Sequence, residues 1–429
     1  MSDPAYHPAS SKNHGWSVVL AGIGINLLLG VLYSWSVVSK KIPTDWGWSE
    51  SDRSMPYSVA CLVFSLAMVP AGRLQDRIGP RVIASIGAVL MGAGMIFASF
   101  GNTLLFYIVG FGVLVGLGMG FGYSSTTPPA IKWFSSARTG LIAGLVVGGF
   151  GLASVYIAPL AESLINAHGV PSTFLYFGFG ILVLATALAQ LLKVPPPNYV
   201  PAGTMPVTTE RALRKVDFTP MEVLGTWQFY LLWFMYACGA GAGLMIISKL
   251  AKMVDTQAGL QLGFVLVACL AVGNGGGRVL AGVISDKIGR RPTLFGCFVM
   301  QAILILLLSQ AHTGNVLGTT TVLVVLSTLI GANYGANLAL FPSITKDLYG
   351  LKNFGANYGL VFTAWGLGGF MLSMLVGKVY DATKAFTFAY ECSAGLLIAA
   401  AMVTFLVKPP EHAAQHEPGG LIDTRRNVT

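Results

Sequence analysis

Charge is what this sequence has least of. Only 10% of its residues are Asp, Glu, Lys or Arg, against about a quarter in a soluble domain. A chain of 429 residues with so few charges cannot cover two or three water-facing domains with polar surface, although length alone suggests them. Cysteine is sparse too. Cys61, Cys238, Cys269, Cys297 and Cys392 lie in apolar runs without C-x-x-C spacing, which excludes a zinc ribbon or disulfide scaffold and reads as small core residues. The histidines sit in tails or short loops, and no H-x-x-x-H pair occurs, so no metal site is expected. There is no phosphate-binding loop and no nucleophile–base pair at one depth, so neither an enzyme nor a cofactor is expected. The net charge of +9 is scattered over short loops rather than gathered on one face, which excludes a nucleic-acid partner. The 53 glycines follow no G-X-Y period, which excludes collagen.

Apolar residues are abundant, at 54% of the chain, and the mean hydropathy of +0.69 is that of a membrane protein. A helix needs about 20 apolar residues to cross a bilayer. Twelve segments meet that condition, at roughly 15–39, 54–75, 81–100, 103–127, 138–160, 171–193, 225–249, 259–283, 292–310, 317–340, 354–377 and 385–407. They are uniformly apolar and too long for barrel strands of about ten alternating residues, so helices are expected. The first run, Gly15–Val38, is too long for a signal-peptide core and lacks a cleavage site, so it reads as the first span.

The longest break runs from Val194 to Gly225 and contains Pro195-Pro196-Pro197 with Arg211, Arg214, Lys215, Asp217 and Glu222. Such a charge cluster cannot lie unpaired in lipid. The expected organisation is a tail (1–14), a six-helix bundle (15–193), a cytoplasmic linker (194–224), a second six-helix bundle (225–408) and a second tail (409–429). The expected fold class is an all-α membrane protein of twelve transmembrane helices in two six-helix bundles. With the amino terminus inside, inner segments hold eighteen Lys and Arg and outer segments seven, so both termini are expected in the cytoplasm of a multi-pass inner-membrane protein. The tail Glu411–Thr429 has no apolar periodicity and no lipidation box.

An internal repeat marks the two halves. Gly72-Arg73-Leu74-Gln75-Asp76-Arg77-Ile78-Gly79-Pro80-Arg81 follows the second span, and Gly282-Val283-Ile284-Ser285-Asp286-Lys287-Ile288-Gly289-Arg290-Arg291 follows the eighth. A glycine turn joins neighbouring helices, and the Asp is placed to pair with a cation or a helix amino terminus, latching helices in one conformation. Gly72, Asp76, Arg77, Gly282, Asp286, Lys287 and Arg290 are therefore the candidate latch residues.

A polar point in an otherwise apolar centre marks a candidate functional site. The sharpest candidate is Arg278, in Gly273-Asn274-Gly275-Gly276-Gly277-Arg278 of the eighth span. Arg in hydrocarbon is costly and stays charged, and its fork matches a carboxylate bidentately. Glu162, Asp255 and Glu391 lie nearer the outer ends, so a bound anion is the natural counter-charge. Asn274, one turn earlier, faces the same side and either bonds substrate or orients the Arg. Tyr33, Tyr123, Asn333, Tyr334, Asn337, Trp35 and Trp365 are candidates to line the route, with interhelical packing as the competing reading. Trp46 and Trp48 read as outer-interface anchors.

The repeated loop motif in two six-span halves resembles the major facilitator superfamily, whose members rock two bundles about a central site. Pro80 departs from the basic residue usual there, which implies a weaker first latch. Narrower likenesses follow. Lys132-Trp133-Phe134-Ser135-Ser136-Ala137-Arg138-Thr139-Gly140-Leu141-Ile142-Ala143-Gly144 resembles the loop and fifth-helix start of the monocarboxylate and oxalate:formate transporters. Phe341-Pro342-Ser343 followed by Asn357-Tyr358-Gly359 is a second match to these transporters, and Gly15-Trp16-Ser17-Val18-Val19 loosely resembles the first-helix opening of monocarboxylate transporters. This resemblance implies that Arg278 binds a substrate carboxylate, with Tyr33 and Tyr123 at aromatic positions of the site. Asn274 stands where monocarboxylate transporters carry an Asp linked to proton coupling. The first span has no Lys between Lys12 and Lys40, and Trp365 stands where the oxalate carrier has its second cation.

One cation suits one carboxylate, because a dianion would bring a second, uncompensated charge. The expectation is a proton-coupled symporter of a small monocarboxylate such as L-lactate or pyruvate, working as a monomer in the lipid bilayer. Asp255 is a candidate for proton coupling. Carboxylate exchange of the oxalate:formate type and a non-transporting carboxylate sensor are the alternatives.

Overall fold

The computed structural model describes residues 14–196, 199–201, 217–260 and 263–410. Most of both tails and the linker charges Arg211, Arg214 and Lys215 lie outside the described residues. The regular structure described is helical throughout. Twelve helices cross the protein: α1 (Gly15–Lys41), α2 (Glu50–Ile78), α3 (Pro80–Ala98), α4 (Leu104–Lys132), α5 (139–168), α6 (170–189), α7 (Trp227–Ala258), α8 (Gly263–Ile288), α9 (Arg290–Ser309), α10 (Thr320–Tyr349), α11 (Phe354–Thr383) and α12 (Thr387–Thr404). Helices α5 and α6 are continuous in hydrogen bonding over Thr139–Ala189, but Gly169 leaves helical geometry at φ 78° and turns the chain back. Among the described residues, eleven apolar helices thus make twelve crossings.

Local chemistry sets the turns. Gly79 and Gly289 adopt φ 100° and 98°, which L side chains rarely reach, and Pro80 then starts α3 where an absent N–H costs nothing. Ser49 and Asp52 form a reciprocal capping box at the start of α2, and Thr219 and Glu222 form another on the short helix Pro220–Leu224. Pro128 and Pro129 break α4 ahead of its last turn, Thr127–Lys132.

The outer circumference is apolar. Leu20, Leu66, Phe179, Val183, Leu280, Met371 and Met402 are all exposed, a surface that suits lipid and would aggregate in water. The two bundles meet along two crossings, α2 on α11 and α5 on α8, and glycines permit both. A Cβ on Gly72 would lie 2.1 Å from the Gly355 carbonyl, and one on Gly282 would lie 2.3 Å from the Gly140 carbonyl. The pairing is pseudo-symmetric. Gly359 abuts the Met68 carbonyl as Gly144 abuts the Arg278 carbonyl, and Gly366 meets Ser65 as Gly151 meets Gly275.

Three expectations are corrected. Trp48 is buried, donating to the Asn102 carbonyl at 3.2 Å, and Trp46 packs on Trp48 and Tyr107, so the pair plugs the bundle's end instead of anchoring it in lipid. Trp35 packs on Phe111 and Phe174 inside the amino-terminal bundle and donates to the Arg53 carbonyl, away from any route between bundles. Of the cysteines, Cys61 and Cys238 are core residues, whereas Cys269, Cys297 and Cys392 are partly exposed.

Candidate functional site

Helix α8 has two working faces. Gly273 and Gly277 press on α10 at Thr328 and Ala332, while Gly275 and Arg278 face α5 across the bundle boundary. Arg278 is fully buried. Its Nε donates to Asn274 Oδ1 at 3.0 Å, so Asn274 orients the guanidinium. Nη1 donates to the backbone carbonyl of Val147 on α5. Nη2 is buried and has no partner among the described residues, and no ion pair involves Arg278 there. The guanidinium carbon lies 5.8 Å from the centroid of Phe150, a weak cation–π contact. A buried cation missing one hydrogen bond and all counter-charge is a costly arrangement, and it is the arrangement an anion relieves.

Aromatic rings surround this point. Phe150 is the hub, edge-on to Tyr33 at 5.2 Å and to Tyr123 at 5.8 Å. The Tyr33 and Tyr334 hydroxyls approach at 3.5 Å across the bundle boundary, and Trp365 donates its indole N–H to the Tyr334 hydroxyl at 3.0 Å. Phe362 stacks on the Trp365 indole at 5.1 Å, and Phe64 meets that indole edge-on at 5.4 Å while also touching Phe362. The Tyr123 hydroxyl is buried without a hydrogen bond in normal geometry among the described residues, and the Tyr236 and Tyr358 hydroxyls lie 3.4 Å apart. Tyr33, Tyr123, Tyr334 and Trp365 therefore share one buried centre with Arg278.

Two other candidates are not in it. Asn337 donates to the Asn333 carbonyl, and its Oδ1 faces Gly239 beside Phe298, so it packs α10 against α7 and α9. Asp255 is exposed near the end of α7. Arg278 sits on the other side of the mid-plane, about 20 Å away along the bundle axis at 1.5 Å per residue.

At the end carrying the two loop motifs, the repeated carboxylates bind helix amino termini across the bundle boundary. Asp286 accepts from the Gly140 and Leu141 amides of α5 at 3.1 and 3.0 Å and pairs with Arg290 at 2.6 Å. Arg290 continues to Asp347 at 3.1 Å, and Lys346 reaches Thr139 at 3.0 Å. Asp76 accepts from the Ala356 amide of α11 at 3.2 Å, while its Oδ1 is buried without a hydrogen-bond partner among the described residues. Pro80 occupies the place corresponding to Arg290, so the first contact has no cation in register. Arg77 and Lys287 are exposed and take no part in these bonds, so the partnership expected of them falls to Arg290.

Sequence reading missed Val147 and Phe150, because a carbonyl acceptor and a ring in an apolar run carry no distinguishing pattern. It also missed Met68, buried at the position pseudo-symmetric to Arg278. Extending the repeat four residues back from Gly72 and Gly282 aligns Met68 with Arg278, so the amino-terminal half brings no charge to that place.

The family model described as Major Facilitator Superfamily matches residues 15–276 and 249–426. The chain is similar to the oxalate:formate antiporter of Oxalobacter formigenes, with 26% identity over 82% of this chain and 81% of that protein. It is similar to human monocarboxylate transporter 11, with 25% identity over 91% of this chain and 82% of that protein. Among solved structures, the Escherichia coli fucose:proton symporter shares the fold with a TM-score of 0.67 at 14% identity, covering 91% of this chain and 98% of that one.

Proposed function

Because the chain belongs to the Major Facilitator Superfamily, a family of carriers rather than enzymes that move small molecules by alternating access, we propose that it carries a small monocarboxylate, such as L-lactate or pyruvate, together with a proton. The observation that carries this reading is the fully buried Arg278, with Nη2 unpartnered and no carboxylate paired to it among the described residues. A substrate carboxylate would take Nη2 and neighbouring donors of the fork, with the Tyr33, Tyr334 and Trp365 group closing round its short apolar part. Neutralising the guanidinium lowers the cost of closing a dry site, so the loaded carrier rocks more readily than the empty one. The proton keeps the transported pair electroneutral.

The count of charges supports a monocarboxylate over a dicarboxylate. Met68 stands opposite Arg278 in the pseudo-symmetry and Trp365 is an indole, so no second cation offsets a second carboxylate there. The excess of Lys and Arg on the motif-bearing side supports placing that end, and both termini, in the cytoplasm. The inter-bundle contacts named above lie at that end and at the centre, which supports an inwardly latched, centrally occluded state.

Exchange of one carboxylate for another is the second reading. It is favoured by Asn274, an amide where a proton-accepting acid would stand beside Arg278. Proteoliposomes decide between the two. Uptake of labelled L-lactate driven by an inward proton gradient, and abolished when the gradient is collapsed, is the expected result. Uptake only when the vesicles are preloaded with carboxylate, with rapid oxalate counterflow, would replace symport by exchange.

A further inference from the structure

We propose that Asp217 is a positioning residue for the α2–α11 latch. It clasps the amino terminus of α11 from the side of its own bundle and holds it where Asp76 engages it. The proposal rests on reading the two loop motifs as latches of alternating access.

The two latches are built unequally. Asp286 is held by two amides and the Arg290 guanidinium. Asp76 has one amide within hydrogen-bond geometry, at Ala356, with the Gly355 amide and the Lys132 charge as weaker electrostatic partners, and a proline where Arg290 stands in the other latch. A single amide hydrogen bond holds a docked carboxylate only if the donor is already fixed in place, because ordering a frayed helix end would consume most of what the bond contributes.

Asp217 supplies the fixing group. Asp217 Oδ1 accepts from the Leu351 amide at 2.8 Å and the Lys352 amide at 3.0 Å. The Phe218 amide donates to the Tyr349 carbonyl at 3.1 Å, and the Phe218 carbonyl accepts from the Asn353 and Asn357 side chains, each at 3.0 Å. The Phe218 ring is buried edge-on against Tyr349. Gly350 turns at φ 81°, and a Cβ there would sit 2.2 Å from Asp217 Oδ1, so the carboxylate occupies the space that only glycine leaves open. All these bonds fall between Tyr349 and Asn357, the stretch that contains the amide Asp76 binds. The capping box of Thr219 and Glu222 follows at once and fixes the chain entering the helix Pro220–Leu224.

The partners of Asp217 and Phe218 named here belong to α10, α11 and the loop joining them, so the clasp persists when the bundles separate and the receptor for Asp76 stays preformed. Both acceptors are carboxylates on amide donors, the stronger class of such bonds. The α5 amino terminus has a different arrangement, with Lys346 on Thr139 and Arg290 beside Asp286.

Hydrogen–deuterium exchange on the full chain in lipid nanodiscs without substrate tests this, using Asp217→Ala, the conservative Asp217→Asn, Asp76→Asn and the Asp76→Asn/Asp217→Ala double variant. Asp217→Ala is expected to raise exchange about tenfold at 351–357 and also at 73–78 of α2, with Asp217→Asn intermediate. The double variant should exchange at 73–78 no faster than Asp76→Asn alone, the non-additivity of residues acting through one contact. Loosening confined to 351–357, with 73–78 unchanged in both Asp217 variants, would reduce Asp217 to a local loop brace and overturn the proposal. So would an Asp76→Asn variant that leaves 73–78 unchanged. The experiment needs no substrate, so failure to find carboxylate flux sinks the transport reading alone.

Discussion

Arg278 of α8 donates to the backbone carbonyl of Val147 on α5, which ties the buried cation of one bundle to the main chain of the other. The bond occupies Nη1 and leaves Nη2 unsatisfied. A carboxylate arriving at the fork meets a donor already aimed and desolvated.

Replacing Arg278 by Lys keeps the charge and loses the planar fork, and replacing it by Ala loses both. Both variants are expected to lower carboxylate uptake at least about 100-fold, the scale of removing one partner of a buried charge pair. Uptake into proteoliposomes at matched protein density checks this. Near-parental transport by Arg278→Lys would show that a point charge suffices.

The glycines of α8 separate packing from propensity within one helix. A Cβ at Gly282 would sit 2.3 Å from the Gly140 carbonyl, whereas one at Gly276 meets nothing within 4 Å. Gly282→Ala should cost about 1–3 kcal/mol by overpacking. Gly276→Ala should be neutral or stabilise by up to about 1 kcal/mol. Thermal unfolding in one detergent, read by intrinsic fluorescence, compares them directly.

The latches should respond unequally to neutralisation. Asp286→Asn removes the charge that meets Arg290 at 2.6 Å, between side chains only 11–14% exposed, while Asp76→Asn breaks no ion pair shown among the described residues. Asp286→Asn is expected to raise motif-end opening about tenfold more than Asp76→Asn, given the strength of charged hydrogen bonds. Cross-linking of cysteine pairs placed across α5 and α8 or across α2 and α11 reports it. Equal effects would contradict the unequal geometry.

Tyr334→Phe removes the acceptor of the Trp365 indole N–H at 3.0 Å and strands a buried donor. A loss of about 1–3 kcal/mol in stability is expected, together with weaker substrate protection against unfolding. Trp365→Phe, which removes the donor as well, should restore part of the stability in the double variant.

Asp52 gives a pH signature at the start of α2. The Ser49 hydroxyl donates to its carboxylate at 2.6 Å and the Ser49 amide at 2.9 Å, and these bonds hold its pKa below the ordinary Asp range. The sign follows from a lowered folded value. The cap contributes above the ordinary carboxylate range, and its contribution is lost as pH falls through the lowered value. Carbon-13 NMR titration should place the Asp52 midpoint below that of an unstructured Asp, and Ser49→Ala should raise it.

Much of the fold was legible, because each crossing needs its own uninterrupted apolar run. The boundaries were less so. Segments read as 138–160 and 171–193 are one hydrogen-bonded run, Thr139–Ala189, reversed at Gly169 in the break between them, since helical hydrogen bonding continues through that polar break up to the turn. Arg278 was legible as a cation inside an apolar span, and Asn274 followed from helical spacing. Asn337 is a site candidate by its polarity in an apolar span, but it packs between helices of its own bundle, whereas Asp255 lies exposed near the end of α7 away from the loop motifs, where the sequence places it.

The sequence by itself determined the number of crossings, the two-fold repeat and the presence of a buried cation, because a bilayer makes hydropathy and charge decisive residue by residue. Only the tertiary structure decided what that cation touches, which aromatics share its centre, and that Asp76 and Asp286 each cap a helix of the opposite bundle. Those contacts join residues far apart in the chain, often through backbone carbonyls and amides common to every residue, so no local pattern of side chains encodes them.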